Sequence, residues 1–275
     1  MGRFRVWLHG GQSNGQGSAP NTTEGGADFL AGSYAPNASV IWAANDNFGE
    51  HTSVASLGMI PWGDVVGNAQ RMPHHGHEQQ IAARAVAEGW TTGGNTLRMG
   101  KWTHNGTPVA KFCPGGIAGN PVGTPGVDYY RLRRVLTLAC PTATDFEWVY
   151  SWAQGESDCD TADGSLAQAN ALGTNQIALY SHVASIIGKP AKVCLLQQIP
   201  IGVWGVNQPS VGPWVAEGRA SILAMHNSNA ADGCPIRVVN VDDLALYTQD
   251  HLHLNSASMH TAGDRFFEAA LPFCV

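Results

Sequence analysis

The stretch Phe4-Arg5-Val6-Trp7-Leu8-His9-Gly10-Gly11-Gln12-Ser13-Asn14-Gly15 decides how this chain is read. Its first part, Arg3 to Leu8, is apolar enough to be a buried β-strand, and no leader-like run precedes it. The strand runs directly into a glycine-rich turn that carries a serine. Such a serine exposes its hydroxyl and also presents its backbone N–H at the start of a helix. That places a nucleophile beside a donor for a developing oxyanion. A helix-capping serine is the plainer alternative, because serine is a favoured N-cap. The sequence is not the Gly-x-Ser-x-Gly elbow of the α/β-hydrolases, so that template does not apply.

Outward from this turn, apolar β-branched runs alternate with helical patterns. Strands are expected at Phe4–Leu8, Ser39–Trp42, Pro108–Phe112, Phe146–Ser151, Lys192–Gln198 and Ile236–Val241. Helices are expected at His77–Glu88, ending at Gly89, and at Ser165–Ile187, stopping at Gly188-Lys189-Pro190. Two more are expected at Trp214–Met225 and Met259–Leu271. Such alternation predicts a mostly parallel sheet with helices on both faces. Ligands then bind beyond the carboxyl ends of the strands, so the reactive residues should follow strands directly. No repeat or linker divides the chain, and one domain over 1–275 is expected.

Three further segments meet that requirement. Cys113-Pro114-Gly115-Gly116 follows the expected strand ending at Phe112, and either Gly115 or Gly116 could offer a second backbone oxyanion donor. A simple tight turn is the plainer reading of that pair. Trp152-Ala153-Gln154-Gly155-Glu156-Ser157-Asp158 follows the fourth strand, and the Gln154 carboxamide is a neutral donor suited to the same oxyanion. Glu156 and Asp158 resemble a glycosidase acid–base pair, but their close spacing favours a role as hydrogen-bonded loop organisers. Near the C-terminus, Asp250-His251-Leu252-His253 places a carboxylate three residues before an imidazole. That spacing suits a general base whose tautomer is fixed by an acceptor. His251, adjacent to Asp250, competes for the role but would more naturally point away.

Composition narrows the field. The 275 residues are 44 % hydrophobic, yet only 13 % are charged, about half the usual share of roughly 25 %. That low charge favours a secreted or virion-associated protein. The net charge is −6 and no basic cluster occurs, which argues against nucleic-acid binding. No apolar run reaches the ~18 residues of a membrane span. The six cysteines, Cys113, Cys140, Cys159, Cys194, Cys234 and Cys274, form no CxxC pair and no zinc-like spacing. Cys113 and Cys194 read as buried free thiols, whereas Cys159 sits in a polar loop and could pair. The weak cluster His74, His75, His77 and Glu78 is no convincing metal set, and no metal or cofactor is expected. Nothing in the sequence sets an oligomeric state.

Together, GQSNGQG, VAKFCPGGIAG, WAQGESD and VVNVDDLALYTQDHLHLNSASMHTAGDRF resemble the SGNH hydrolase superfamily. Within it, the chain is similar to the sialate O-acetylesterase-like branch of carbohydrate esterases, from Gly10 to about Phe266. Gly76-His77-Glu78-Gln79-Gln80-Ile81 also resembles a segment of that branch. The resemblance implies a flavodoxin-like three-layer α/β/α sandwich with a mostly parallel sheet. It implies hydrolysis of acetyl esters, commonly on sugars, with Ser13 as nucleophile, His253 as base and Asp250 as its orienter. The oxyanion donors it implies are the Ser13 N–H, an N–H of Gly115 or Gly116, and the Gln154 side chain. Gln replaces the superfamily's usual Asn at that position, as it does in this branch. Pro114 departs from the family pattern and leaves open which glycine donates.

The expected partner is therefore an acetylated sugar or polysaccharide. Trp42, Trp62, Trp102, Trp204 and Trp214 fall in or near expected loops, where flat aromatic faces suit sugar rings; packing at core edges is the alternative for each. Two rivals remain open. One is a general short-chain esterase, lysophospholipase or thioesterase, and the other is an inactive carbohydrate-binding or virion module on the same fold.

Overall fold

The structure is a computed structural model. It describes residues 4–12, 14, 19–20, 40–44, 58–61, 74–104, 106–117, 125–126, 128–140, 145–202, 212–247 and 252–274. Ser13, Asp250, His251, Trp62 and Trp204 lie outside the described residues.

The strands are β1 (Phe4–Gly11), β2 (Ala19–Pro20), β3 (Val40–Ala44), β4 (Gly58–Pro61), β5 (His74–His75), β6 (Thr96–Thr103), β7 (Phe146–Ala153), β8 (Cys194–Gln197) and β9 (Ile236–Val239). The helices are α1 (His77–Ala87), α2 (Tyr129–Ala139), α3 (Leu166–Ile187), α4 (Val215–Leu223) and α5 (Ser256–Ala270). The main sheet runs β4-β3-β6-β1-β7-β8-β9, parallel throughout except for the antiparallel edge strand β4. Five of its strands, β6-β1-β7-β8-β9, follow the flavodoxin-like order 2-1-3-4-5, and β1 is the central strand of the whole sheet. β2 and β5 form a separate antiparallel pair.

The period-two alternation of the strands builds the three layers. In β1, Val6 and Leu8 face one side and Trp7 the other. Trp148, Tyr150 and Trp152 of β7 join the first side, packed against α2, α3 and α4 through Leu132, Leu136, Leu172 and Ile222. Val149, Leu97 and Met99 join Trp7 beneath α1 and α5, where Ile81, Phe266 and Phe267 cover them. Phe266 and Phe267 are fully buried, and truncating either to Ala would cost about 3–5 kcal/mol. α3 begins at a capping Ser165, whose side chain accepts from Gln168 N, and ends at Gly188 with φ 83°. Both features agree with the signals in the sequence.

Two elements depart from the sequence reading. Pro108–Phe112 is not a strand but contains a 3₁₀ turn, Val109–Phe112. The strand beside β1 is instead β6, whose TLRMGKWT sequence carries two charges and a glycine. Those residues weaken its β signal, and burial between β1 and β3 overrides them. Helix α2 was also unpredicted, although Leu132, Val135, Leu136 and Ala139 form its buried stripe.

All six cysteines are free thiols. Cys159 stands in the loop after β7 and is fully buried, and burial raises the Cys113 thiol to about 12. Trp102 is a core residue against Phe112, and Trp42 lies within β3. Neither stands in a loop. Trp214, just before α4, is partly buried against the core. No described helix is long and apolar enough to cross a membrane.

Candidate active site

β1 ends in two glycines because the neighbouring chain leaves no room for a side chain. A Cβ on Gly10 would collide with the Trp152 ring, and one on Gly11 with the Ala153 carbonyl. Gly11 also has φ 137°, a conformation glycine adopts freely. The chain then turns over the end of β7. Gln12 N donates to Ala153 O at 3.1 Å, and the buried Gln12 side chain accepts from Ser157 N at 3.1 Å. Asn14 is fully buried and already helical. The two residues flanking Ser13 are therefore fixed.

The Asn14 carboxamide joins this turn to the opposite end of the sequence. Its Nδ2 donates to Glu156 Oε1 at 2.6 Å and to Leu252 O at 3.3 Å. Its Oδ1 accepts from Leu254 N at 2.9 Å. Leu252 and Leu254 bracket His253, so one side chain holds both flanks of the expected base against the expected nucleophile turn. The His253 segment is secured from behind as well: Tyr247 N donates to His253 O at 2.6 Å, and Asn255 N to Ala245 O at 3.1 Å. Asn255 then caps α5 by accepting from Ser258 N.

Glu156 is buried beside this contact. Burial raises its carboxyl above the usual carboxylate range, against the opposing effects of the Asn14 hydrogen bond and the nearby His253. Asp158 is raised to about 8, chiefly by burial. Its oxygens accept from Val109 N at 3.0 and 3.1 Å. Both acids thus organise loops through hydrogen bonds.

Gln154 stands differently from the expected oxyanion donor. It is buried, and its Nε2 donates to Thr107 O at 2.5 Å and to Asp158 Oδ2 at 3.3 Å. Its Oε1 accepts from Trp152 Nε1 at 2.8 Å. In this geometry the amide ties the end of β7 to the turn after β6.

That turn is what the sequence reading missed. β6 ends level with β1, Thr103 opposite Gly11, and His104 N donates to Gly11 O at 3.0 Å. Gly106 follows with φ 60°. Gly115 and Gly116 follow the 3₁₀ turn, with φ 101° and 82°, and not the expected strand. The Asn105-Gly106 pair, a strong turn signal, was the available clue.

One layer below, His9, Lys101 and Ser151 lie in register on adjacent strands. His9 Nδ1 lies 2.8 Å from Ser151 Oγ and its Nε2 3.3 Å from His77 Nδ1. Lys101 Nζ donates to the buried Glu78 at 2.6 Å. His77 and Glu78 are thus committed to core partners. Among the described residues, no group of three or more His, Cys, Asp or Glu side chains is arranged to hold a metal.

No protein-family model matches the chain, and no curated protein matches its sequence. Solved structures do match. A protein of Arabidopsis thaliana aligns with a TM-score of 0.67 at 16 % identity, over 98 % of this chain and 99 % of its own. NanS aligns at 0.60 and 13 % identity, over 98 % and 97 %. A carbohydrate acetylesterase from Xanthomonas citri aligns at 0.60 and 14 %, over 96 % of this chain and 55 % of its own. With the parallel five-strand order and the turn after β1, these likenesses establish that the chain has the SGNH hydrolase fold.

Proposed function

We propose that the chain is a serine esterase that removes short acyl groups, most naturally acetyl groups, from a carbohydrate. Ser13 would be the nucleophile, His253 the base and Asp250 its orienter. The observation that carries this reading is the Asn14 clamp, which draws the flanks of Ser13 and of His253 together across about 240 residues of sequence. The solved carbohydrate acetylesterase of the same fold supports the choice of substrate class.

His253 would take the Ser13 proton as the oxygen attacks the ester carbonyl. It would return that proton to the departing sugar hydroxyl, leaving an acyl-enzyme. A water deprotonated by the same histidine would then release the acid. The Ser13 N–H would be one oxyanion donor. An N–H of Gly115 or Gly116 would be the second, and the turn after β6, bonded to Gly11 O through His104 N, is the alternative. Gln154 supports that turn, and donates to the oxyanion itself only if its bond to Asp158 opens.

The test is acetate release from a panel of acetylated sugars, polysaccharides and aryl acetates, with Ser13→Ala as control. Loss of one triad member typically leaves only a small residual rate. A variant retaining more than about a tenth of wild-type turnover would require another nucleophile. Aryl acetate activity with no acetylated carbohydrate cleaved would leave an esterase and remove the carbohydrate.

A further inference from the structure

The turn after β6 carries a second histidine–carboxylate pair that the ester-cleaving steps do not use. His104 Nδ1 lies 2.6 Å from Asp128 Oδ2. The Asp128 side chain is fully buried, while His104 keeps 23 % of its side-chain surface. Two observations set the pair at the rim of the candidate site. The His104 backbone is bonded to Gly11, the residue before Gln12. Gly106, two residues on, has open space where a side chain would stand, so the turn borders solvent. Asp128 is a fixed point: its N donates to Lys111 O, and its carbonyl accepts from Leu132 N of α2, both at 3.0 Å.

We propose that His104, oriented by Asp128, binds a hydroxyl on the alcohol half of the ester. This inference rests on the esterase reading above. A carboxylate at Nδ1 fixes the neutral tautomer that carries its proton there, leaving the Nε2 lone pair to accept from a hydroxyl. The buried carboxylate behind the ring disfavours an anionic ligand. The chemistry recognised is therefore a neutral polyol, and the crevice beyond the strand ends is where such a group would lie.

The experiment measures KM and kcat of wild type, His104→Ala, His104→Gln and Asp128→Asn on a mono-O-acetylated glucose and on p-nitrophenyl acetate. His104→Ala should raise KM for the sugar ester about tenfold, the worth of roughly one hydrogen bond, with kcat within about twofold. The KM rise on the aryl ester, whose alcohol bears no further hydroxyl, should be several-fold smaller. His104→Gln, which keeps a polar side chain, should fall between, and it also serves if His104→Ala does not fold. Equal changes on both esters, a change in kcat alone, or lowered thermal stability with unchanged KM would overturn the proposal. If wild type cleaves neither ester, or Ser13→Ala is as active as wild type, the esterase reading fails and this inference falls with it. A Ser13-dependent enzyme whose His104 variants ignore the sugar overturns this inference alone.

Discussion

Asn14 donates to Glu156 at 2.6 Å while accepting from Leu254 N at 2.9 Å, so a single buried carboxamide couples three segments distant in sequence. Each bond replaces water for a group that has lost it. Removing Asn14 leaves Leu254 N–H and a Glu156 oxygen without their partner, at about 1–3 kcal/mol for each buried group.

Asn14→Ala should therefore lower the melting temperature and reduce kcat. The loss follows because the His253 segment is no longer held at its proper distance, and a misplacement of about 1 Å can cost on the order of 10²-fold. Thermal unfolding with steady-state kinetics on an aryl acetate measures both. Full activity in a folded Asn14→Ala protein would show that the clamp does not position the base.

Gln154→Ala offers a sharper discrimination. If Gln154 acts directly on the oxyanion, its loss lowers kcat by about 10²–10³ with little change in stability. If it acts by holding Thr107 and the turn after β6, stability falls as well, by roughly 2–4 °C per kcal/mol for a domain of this size. The expected result is a fall in both quantities, with Gln154→Asn intermediate. An unchanged melting temperature with a collapsed kcat would restore the direct role.

His253→Ala should be far more damaging than His251→Ala under identical assay conditions. Both flanks of His253 are bonded to Asn14, which holds that position at the nucleophile turn. A dead His251 variant beside an active His253 variant would reverse the assignment.

Asp158 links stability to pH. Its carboxyl is raised from 3.8 to about 8, so the folded chain holds a proton that the unfolded chain gives up near pH 4. The folded form is thus favoured most below that lower value, and the contribution disappears as pH rises through about 8. Denaturant unfolding should show stability declining across this window, and Asp158→Asn should flatten the decline. An identical pH dependence in the variant would locate the titration elsewhere; Glu156, shifted in the same direction, is the first alternative.

Much of the architecture was legible because it rests on local periodicity. The alternation of β1 and β7, the capping Ser165 and the stop at Gly188 are each readable in a short window. β6 was not, because Arg98, Gly100 and Lys101 interrupt its apolar pattern, and its status as a strand comes from pairing with β1 and β3. Missing it put a strand at Pro108–Phe112 instead: that segment contains a 3₁₀ turn before Gly115 and Gly116, while Gly106 follows the true neighbour of β1.

By itself, the sequence determined an α/β sheet with a serine turn after its first strand and an Asp-x-x-His segment near its end. These features need only residue type, spacing and order along the chain. The tertiary structure alone decided which side chains meet. It turned Gln154 toward Thr107, gave Asn14 to the flanks of His253, and brought His104 to Asp128 at the sheet's carboxyl edge. The reason is that a hydrogen bond is chosen by distance and burial in the folded chain, where each donor withdrawn from water must find an acceptor. Spacing along the chain does not name such partners, whether they lie 24 residues apart, as His104 and Asp128 do, or 240, as Asn14 and Leu254 do.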